Sequence, residues 1–279
     1  MGVRIDRLAS LYIARPLLRR REQSARIPIL MYHSVADEEE TGVHAYYRTV
    51  TTPLVFARQM SYLHDNGYSA FGLGELGSGI ERQGDSTKCV VITFDDGYRD
   101  FYVHAFPILE KHGFSATVFL PTNFVGNKPL RFRNKYCLTW NQVRELKKWG
   151  VSFGSHTVTH PQLHDVDARS MHDEIVVSKQ RIEQELGNIV ESFAYPFAFP
   201  ENDMNFKCRL RESLQLAGYK NGVCTSIGRV DSNADHFFMK RLPVNSCDDP
   251  CLFEAKLDGA YDWVSYPQHL LKMAKQWAR

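Results

Sequence analysis

No apolar run in this chain is long enough to span a bilayer, and the first residues lack the apolar stretch and small-residue cleavage site of a secretory signal. Cysteine is sparse: six residues in 279, at positions 89, 137, 208, 224, 247 and 251. They form no disulfide framework, and Cys247 and Cys251 have no second Cys/His pair at zinc-finger spacing. Buried free thiols are expected, and reduced thiols fit a cytoplasmic protein. Charge is nearly balanced, with 34 Lys and Arg against 32 Asp and Glu. The net +2 carries no nucleic-acid-binding signature, so no nucleic-acid partner is expected. Internal repeats and low-complexity tracts are also missing, which excludes solenoids. What remains is 43% hydrophobic and 24% charged, a globular composition with material for a sizeable core.

The charge that is present is unevenly placed. Residues 1–26 hold seven arginines (Arg4, Arg7, Arg15, Arg19, Arg20, Arg21 and Arg26) against Asp6 and Glu22, leaving +5 on the segment and −3 on the rest. Ile5, Leu8, Leu11, Tyr12 and Ile13 recur at roughly helical spacing among them, and Pro16 should end or kink that helix. A short basic amphipathic helix of this kind lies on an anionic membrane surface or packs on the body with its arginines solvated. The expected location is therefore cytoplasmic, with membrane-peripheral contact through residues 1–26 as its variant.

From residue 27 onward, apolar runs alternate with helical stretches. Strands are predicted at Ile27–His33, Cys89–Phe94, Ser115–Leu120, Val151–Ser155, Ser192–Tyr195, Tyr219–Thr225 and Met239–Val244. Several are continuously apolar, as strands covered on both faces are. Helices are predicted at Thr52–Asn66, Tyr98–His112, Thr139–Trp149 (with Thr139 and Gln142 as a capping box), Ala168–Leu186 and Phe206–Ala217. Each is followed or ended by glycine. Trp140 and Trp149 flank one of these helices and read as core. Alternating strand and helix implies an α/β fold with a mostly parallel sheet. Seven units suggest closure into a barrel, although an open doubly wound sheet shows the same pattern. In both, functional residues belong at the C-terminal ends of strands.

Four predicted strands end in chemistry. Thr93-Phe94-Asp95-Asp96-Gly97 follows the run Cys89–Ile92. Two adjacent carboxylates there are costly unless a cation neutralises them, and in an extended segment they point opposite ways. The alternative is a plain Asp-Gly turn. Ser155-His156-Thr157-Val158-Thr159-His160-Pro161 offers two imidazoles that converge on one metal if the backbone between them turns like a helix. Two His and one carboxylate form a ligand set with positions left open. Tyr195-Pro196-Phe197-Ala198 places proline just past a strand, where a free backbone N–H can serve an oxyanion. A simple turn is the alternative. Met31-Tyr32-His33 delivers a histidine, a general acid near neutral pH or an ordinary core or surface side chain. Lys128–Lys135, with Arg131, Phe132, Arg133 and then Tyr136, is either a rim for an anionic or lipid-linked substrate or a solvated loop. His164 reads as a loop residue.

Together these segments resemble the polysaccharide deacetylases of carbohydrate esterase family 4, over roughly residues 27–245. Thr-Phe-Asp-Asp-Gly and His-Thr-x-x-His-Pro match two of the family's signature motifs in order. The resemblance implies a distorted (β/α) barrel of about seven parallel strands and one divalent metal, zinc first, with cobalt, nickel or manganese as alternatives. It implies Asp96, His156 and His160 as metal ligands and Asp95 as general base. The Phe197 N–H stands where the family uses the amide after proline, with Tyr195 and Pro196 beside the substrate. The implied activity is hydrolysis of the N-acetyl group of an acetamido sugar in a polysaccharide, oligosaccharide or lipid-linked glycan.

The chain departs from the common pattern at three points. Phe193 replaces the Arg that orients the base, Ala198 replaces Gly, and no C-terminal Leu-x-His is evident. A subgroup of biofilm-exopolysaccharide deacetylases begins with a Met-Tyr-His strand, and Met31-Tyr32-His33 and Arg241-Leu242-Pro243-Val244 match it. By that resemblance His33 becomes the acid and Arg241 the substitute for the missing Arg. Residues 1–26 are then an arm, 27–245 the catalytic domain and 246–279 a helical extension packed on the barrel. A deformylase or cyclic imidase type of amidohydrolase, or a carbohydrate-binding protein without catalysis, would be the rival readings.

Overall fold

Runs such as Val90-Val91-Ile92 bury every side chain, and the architecture shows why. The computed structural model describes residues 4–18, 26–76 and 88–270. In chain order the strands are β1 (Ile29–Tyr32), β2 (Ser34–Val35), β3 (Val50–Thr51), β4 (Tyr68–Phe71), β5 (Lys88–Phe94), β6 (Thr117–Leu120), β7 (Arg131–Phe132), β8 (Lys135–Tyr136), β9 (Ser152–Ser155), β10 (Ser192–Ala194), β11 (Asn221–Ile227) and β12 (Met239–Pro243). Seven of them, in the order β1-β12-β11-β10-β9-β6-β5, are hydrogen-bonded in parallel, and β1 pairs back with β5 to close a barrel. The seven predicted strands are these seven, with ends displaced by at most two residues: most are trimmed, β5 begins one residue earlier and β11 is shifted two residues onward. The eighth, β4, pairs with Lys88–Val91 at the start of β5, while Thr93–Phe94 at its end pair with β6.

Closure gives most of the strands two dry faces. Leu30, Tyr32, Val90, Ile92, Phe94, Val118 and Leu120 point outward into a core shared with the helices. Ile29, Val91, Phe119, Ala194, Val223 and Met239 form a smaller cluster inside the barrel. Alternation then places Thr93 and Asp95 above Val91, and Arg241 above Met239, on the same inner wall. Gly154 on β9 fits because a Cβ there would lie 2.5 Å from the Phe119 ring and 2.8 Å from the Ser192 carbonyl.

Helices Pro53–Asp65, Trp140–Lys148, Ala168–Leu186 and Met204–Leu216 cover the barrel at the expected places, and the Thr139–Gln142 capping box forms. Pro16 is expected to end or kink the first helix, and only the first alternative fails. A π-type stretch at Ser10–Ala14 lies between Ile5–Ala9 and Arg15–Leu18. A second π stretch, Phe101–Ala105, stands at the same offset before Pro107. In both, the residue four before the proline (Tyr12, Val103) lies in the widened turn, which relieves the ring-to-carbonyl clash.

The first helix packs on the segment after β12. Arg4 donates to the Cys247 carbonyl at 3.1 Å and to Asp248 at 3.2 Å, Arg7 pairs with Asp249, and Arg15 with Glu254 and Asp258. These arginines are paired rather than solvated. Arg19, Arg20, Arg21 and Glu22 lie outside the described residues. After β12, helix Pro250–Asp258 buries Leu252, Phe253, Ala255 and Leu257. Trp140 is fully buried, but Trp149 is exposed, because it caps the end of its helix beyond the core-facing turn. All six cysteines are free, yet only Cys89, Cys137 and Cys224 are buried; Cys208 and Cys251 are exposed and Cys247 is intermediate.

Candidate active site

The end of β5 runs straight into Asp95 and Asp96. Asp95 is still held in register, its N–H donating to the Tyr32 carbonyl at 3.0 Å. Asp96 then adopts φ 67° and Gly97 φ 57°. At Gly97 a Cβ would also lie 2.8 Å from Leu120 Cδ2, so both conformation and space call for glycine. The reversal sends the two carboxylates to different partners.

Asp95 is almost fully buried and meets Arg241, whose exposure is zero. Nη1 donates to Oδ1 and Nη2 to Oδ2, each at 2.7 Å, a two-pronged pair. Arg241 Nε donates to the Cys224 carbonyl at 3.1 Å and Nη1 also reaches Thr93 Oγ1 at 3.2 Å, while that hydroxyl donates to the Leu30 carbonyl at 2.7 Å. Burial alone would raise the Asp95 carboxyl, but the Arg241 guanidinium, with His156 and His33 adding to it, holds it below its ordinary value.

Asp96 turns toward the histidines. Its Oδ1 lies 3.3 Å from His160 Nε2 and 3.6 Å from His156 Nε2. One donor atom from each of Asp96, His156 and His160 can be chosen so that all lie within 4.8 Å of one another, and all three residues are buried. Burial opposes ionisation of Asp96 too, but the His160 hydrogen bond and the charges of His33, His156 and His160 hold it well below the ordinary carboxylate value. Burial pushes the His156 imidazole down to about 4, so it is neutral near pH 7. Its Nδ1–H donates to the Ala194 carbonyl at 2.8 Å, which leaves the Nε2 lone pair aimed at Asp96. His160 Nδ1 is buried without a partner. A hard carboxylate and two neutral-capable imidazoles, converging and desolvated, fit a divalent cation.

The two histidines do not converge through a helical turn, as their spacing suggests. Thr157 (φ 70°) and His160 (φ 61°) are both left-handed, which is costly for a β-branched residue. Surrounding bonds enforce it. Glu174 accepts from the N–H groups of Val158 (2.7 Å) and Thr159 (2.9 Å) and from the Thr159 hydroxyl (2.6 Å). Ser155 Oγ accepts from Thr157 N–H at 3.1 Å and bonds Ser178 at 2.6 Å. Sequence reasoning missed Glu174, Ser178 and Thr93, whose partners lie far along the chain; an acidic residue on the covering helix fourteen positions after His160 was the only available signal.

Of the other predicted residues, His33 follows β1 half-buried, and its charge acts on both carboxylates. Phe197 is left-handed at φ 60°, its ring is 4.6 Å from that of His160, and its N–H makes no hydrogen bond among the described residues. Thr225 Oγ1 pins this loop, donating to the Phe197 carbonyl at 2.8 Å and accepting from Phe199 N–H at 3.0 Å. Tyr195 corrects its expectation. Its side chain is 2% exposed, packs on Phe199 and Phe206 and shares a 3.1 Å hydrogen bond with His164, so it faces the core and not a substrate. Pro196 is likewise buried. Lys128–Lys135 is solvated over most of its length but is not an open loop: β7 and β8 make a hairpin whose buried Phe132 ring lies 5.0 Å from that of His160.

A closed parallel barrel carrying this donor set and a clamped carboxylate on its C-terminal rim has the construction of a hydrolase. The polysaccharide deacetylase family model matches residues 82–221, half of the chain. YxkH of Bacillus subtilis, which bears the polysaccharide deacetylase name, is 29% identical over 225 residues, covering 80% of this chain and 73% of its own. The Escherichia coli poly-β-1,6-N-acetyl-D-glucosamine N-deacetylase is 31% identical over 140 residues, 46% of this chain but only 20% of the larger enzyme. Among solved structures, the Streptococcus pyogenes deacetylase PplD in complex with acetate superimposes with a TM-score of 0.72 at 27% identity, covering 83% of this chain and 98% of that one. The chain belongs to the polysaccharide deacetylase family and is a hydrolase.

Proposed function

We propose that the protein hydrolyses the N-acetyl group of an acetamido sugar within a glycan, releasing acetate and a free amine, with one divalent cation held by Asp96, His156 and His160. Zinc suits the mixed nitrogen and oxygen donors; cobalt, nickel or manganese would be accepted by the same set. The observation that carries the reading is the pairing of the Arg241-clamped Asp95 with the convergent Asp96–His156–His160 group beside it. Acetate bound to PplD and the N-acetylglucosamine named for the E. coli relative support the same chemistry.

When bound, the cation polarises the acetamide carbonyl and lowers the pKa of the attacking water, which brings that water within reach of so weak a base as an arginine-paired Asp95. Asp95, kept ionised by Arg241, takes the water proton. The water oxygen bonds to the carbonyl carbon, and the Phe197 N–H donates to the oxyanion that develops. His33, facing Asp95 and Asp96 from β1, protonates the amine nitrogen as the C–N bond breaks. Arg241 acts as a positioning residue. Residues 27–245 constitute the catalytic unit in this reading. The test is acetate release from N-acetylglucosamine oligosaccharides by metal-loaded protein. Release that persists in Asp95→Asn would remove the proposed base.

Residues 1–26 provide a membrane contact in the same proposal. No helix among the described residues is long and apolar enough to cross a membrane. Ile5, Tyr12, Ile13 and Leu17 are each at least 60% exposed on the first helix, and three consecutive arginines follow it in sequence. An apolar face beside cationic residues suits an anionic bilayer surface. Co-sedimentation with vesicles containing phosphatidylserine, lost in Ile5→Ser/Tyr12→Ser, is the expected result; no retention by such vesicles ends the idea.

A further inference from the structure

A guanidinium at the mouth of the site, that of Arg133, makes no ion pair among the described residues and rests only against aromatic rings. Arg133 and Asn134 form the tip of the β7–β8 hairpin, at φ 46° and φ 66°. Two consecutive left-handed residues suit a tight hairpin, though glycine is the usual occupant. The hairpin is anchored firmly enough to hold them. Phe132 packs against Phe124 (4.5 Å) and His160 (5.0 Å), Arg99 N–H donates to the Tyr136 carbonyl at 2.8 Å, and Lys135 donates to Ser34 Oγ at 3.0 Å and pairs with Glu38.

Three cations lie on this hairpin, and they are used differently. Lys135 is paired with acidic residues. Arg131 stacks on Tyr136 at 4.3 Å and reaches the Asn134 carbonyl. Arg133 pairs with no carboxylate among the described residues. Its guanidinium carbon lies 5.0 Å from the Phe132 ring and 5.0 Å from the Phe197 ring. Both rings border His160, and Phe197 is the residue whose N–H faces the reacting carbonyl in the proposed reaction. Aromatic contacts occupy the faces of a guanidinium and orient it, while its N–H edges stay free to bind a planar oxyanion by two parallel hydrogen bonds. A neutral glycan gives such an edge nothing equivalent to bind.

We infer that Arg133 forms an anion subsite beside the scissile acetamide and selects glycans bearing a carboxylate or phosphate next to the N-acetylated sugar. This rests on the deacetylase reading above and narrows its substrate class. The experiment compares acetate release by the metal-loaded protein from neutral chitotetraose, from a tetrasaccharide alternating glucuronate and N-acetylglucosamine, and from N-acetylglucosamine 1-phosphate. The two charged arms distinguish carboxylate from phosphate as the anion.

Wild-type protein is expected to favour at least one charged substrate by about tenfold in kcat/KM over the neutral one, through KM, and to lose that preference as salt is raised. Arg133→Gln should lower kcat/KM on the charged substrate about tenfold more than on the neutral one; Arg133→Lys should keep part of the preference and Arg133→Glu should invert it. Neutral substrate turned over as well as or better than both charged ones, or a loss in Arg133→Gln that is equal for all, overturns the subsite. Release from none of the three overturns the deacetylase reading itself.

Discussion

Two buried ion pairs in this protein use the same chemistry for opposite ends. Arg241–Asp95 lies inside the barrel at its rim, and Lys256–Asp248 lies under the first helix. All four side chains are essentially without solvent. Asp248 is used up structurally: it accepts from Lys256 at 2.6 Å, from Asn245 N–H at 3.2 Å and from Arg4 at 3.2 Å, while Lys256 also donates to the Pro243 carbonyl at 2.6 Å. Around Asp95 it is the cation that is used up, by Cys224, Thr93 and the carboxylate itself. The carboxylate keeps lone pairs beside two imidazoles. Burial and pairing therefore do not tell the two pairs apart; the valence left spare on one member does.

Neutralising each carboxylate separates the two cases most widely. Both Asp95→Asn and Asp248→Asn should lose stability, on the order of 3–5 kcal/mol, because each leaves a buried cation uncompensated. Only Asp95→Asn should lose turnover per folded molecule, by roughly 10²- to 10⁴-fold, with bound metal retained by elemental analysis. A comparable turnover loss in Asp248→Asn would erase the distinction.

Removing the cations sharpens it further. Arg241→Met leaves Asp95 buried without its guanidinium, so burial dominates and its pKa rises. The base must be ionised, so the acid limb of the pH–rate profile should move to higher pH, with activity partly recovered on raising the pH. Lys256→Met should lose stability with no displacement of that profile. An unmoved profile in Arg241→Met would count against Asp95 as base.

Loosening the histidine loop should matter less. Glu174→Gln keeps one acceptor but weakens three hydrogen bonds, and metal affinity should fall about 10- to 100-fold by competition with a chromophoric chelator. Unchanged affinity would mean that the loop is held without Glu174.

The smallest effect belongs to the helix contact. Burial tends to raise the Asp6 carboxyl, but Arg4 and Tyr261 hold it below its ordinary 3.8, so its contribution is present above that value and lost as the pH falls through the lower folded one. Arg4→Gln should lower the melting temperature by a few degrees, and should flatten the dependence of stability on pH below 3.8.

Most of this molecule is legible in its sequence, and what is not has a common cause. Several of the seven barrel strands show as apolar runs because both faces are dry, as Lys88–Phe94 and Thr117–Leu120 do, whereas β4, with Tyr68 and Ser69 half-exposed, leaves no such run. Asp95, Asp96, His156 and His160 stand out because the chemistry is concentrated in two short segments. Arg241 was reachable only through resemblance, since 146 positions separate it from Asp95. Glu174 acts mostly on backbone N–H groups and Ser178 on the Ser155 hydroxyl, partners that leave little signature in a sequence. Tyr195 was misplaced because adjacency to Pro196 does not say which way the last residue of a strand points. The π stretches before Pro16 and Pro107 were invisible because they answer a clash that a straight helix would have had.

A ring has no first member. β12, β1 and β5 are consecutive staves of the barrel, so Arg241, His33 and Asp95 stand side by side although they come from the end, the start and the first third of the polypeptide. Their neighbourhood is a property of the circle and not of the order of translation. The same grouping of Arg241, His33 and Asp95 would survive if the opening stave were written last, behind one more helical crossover.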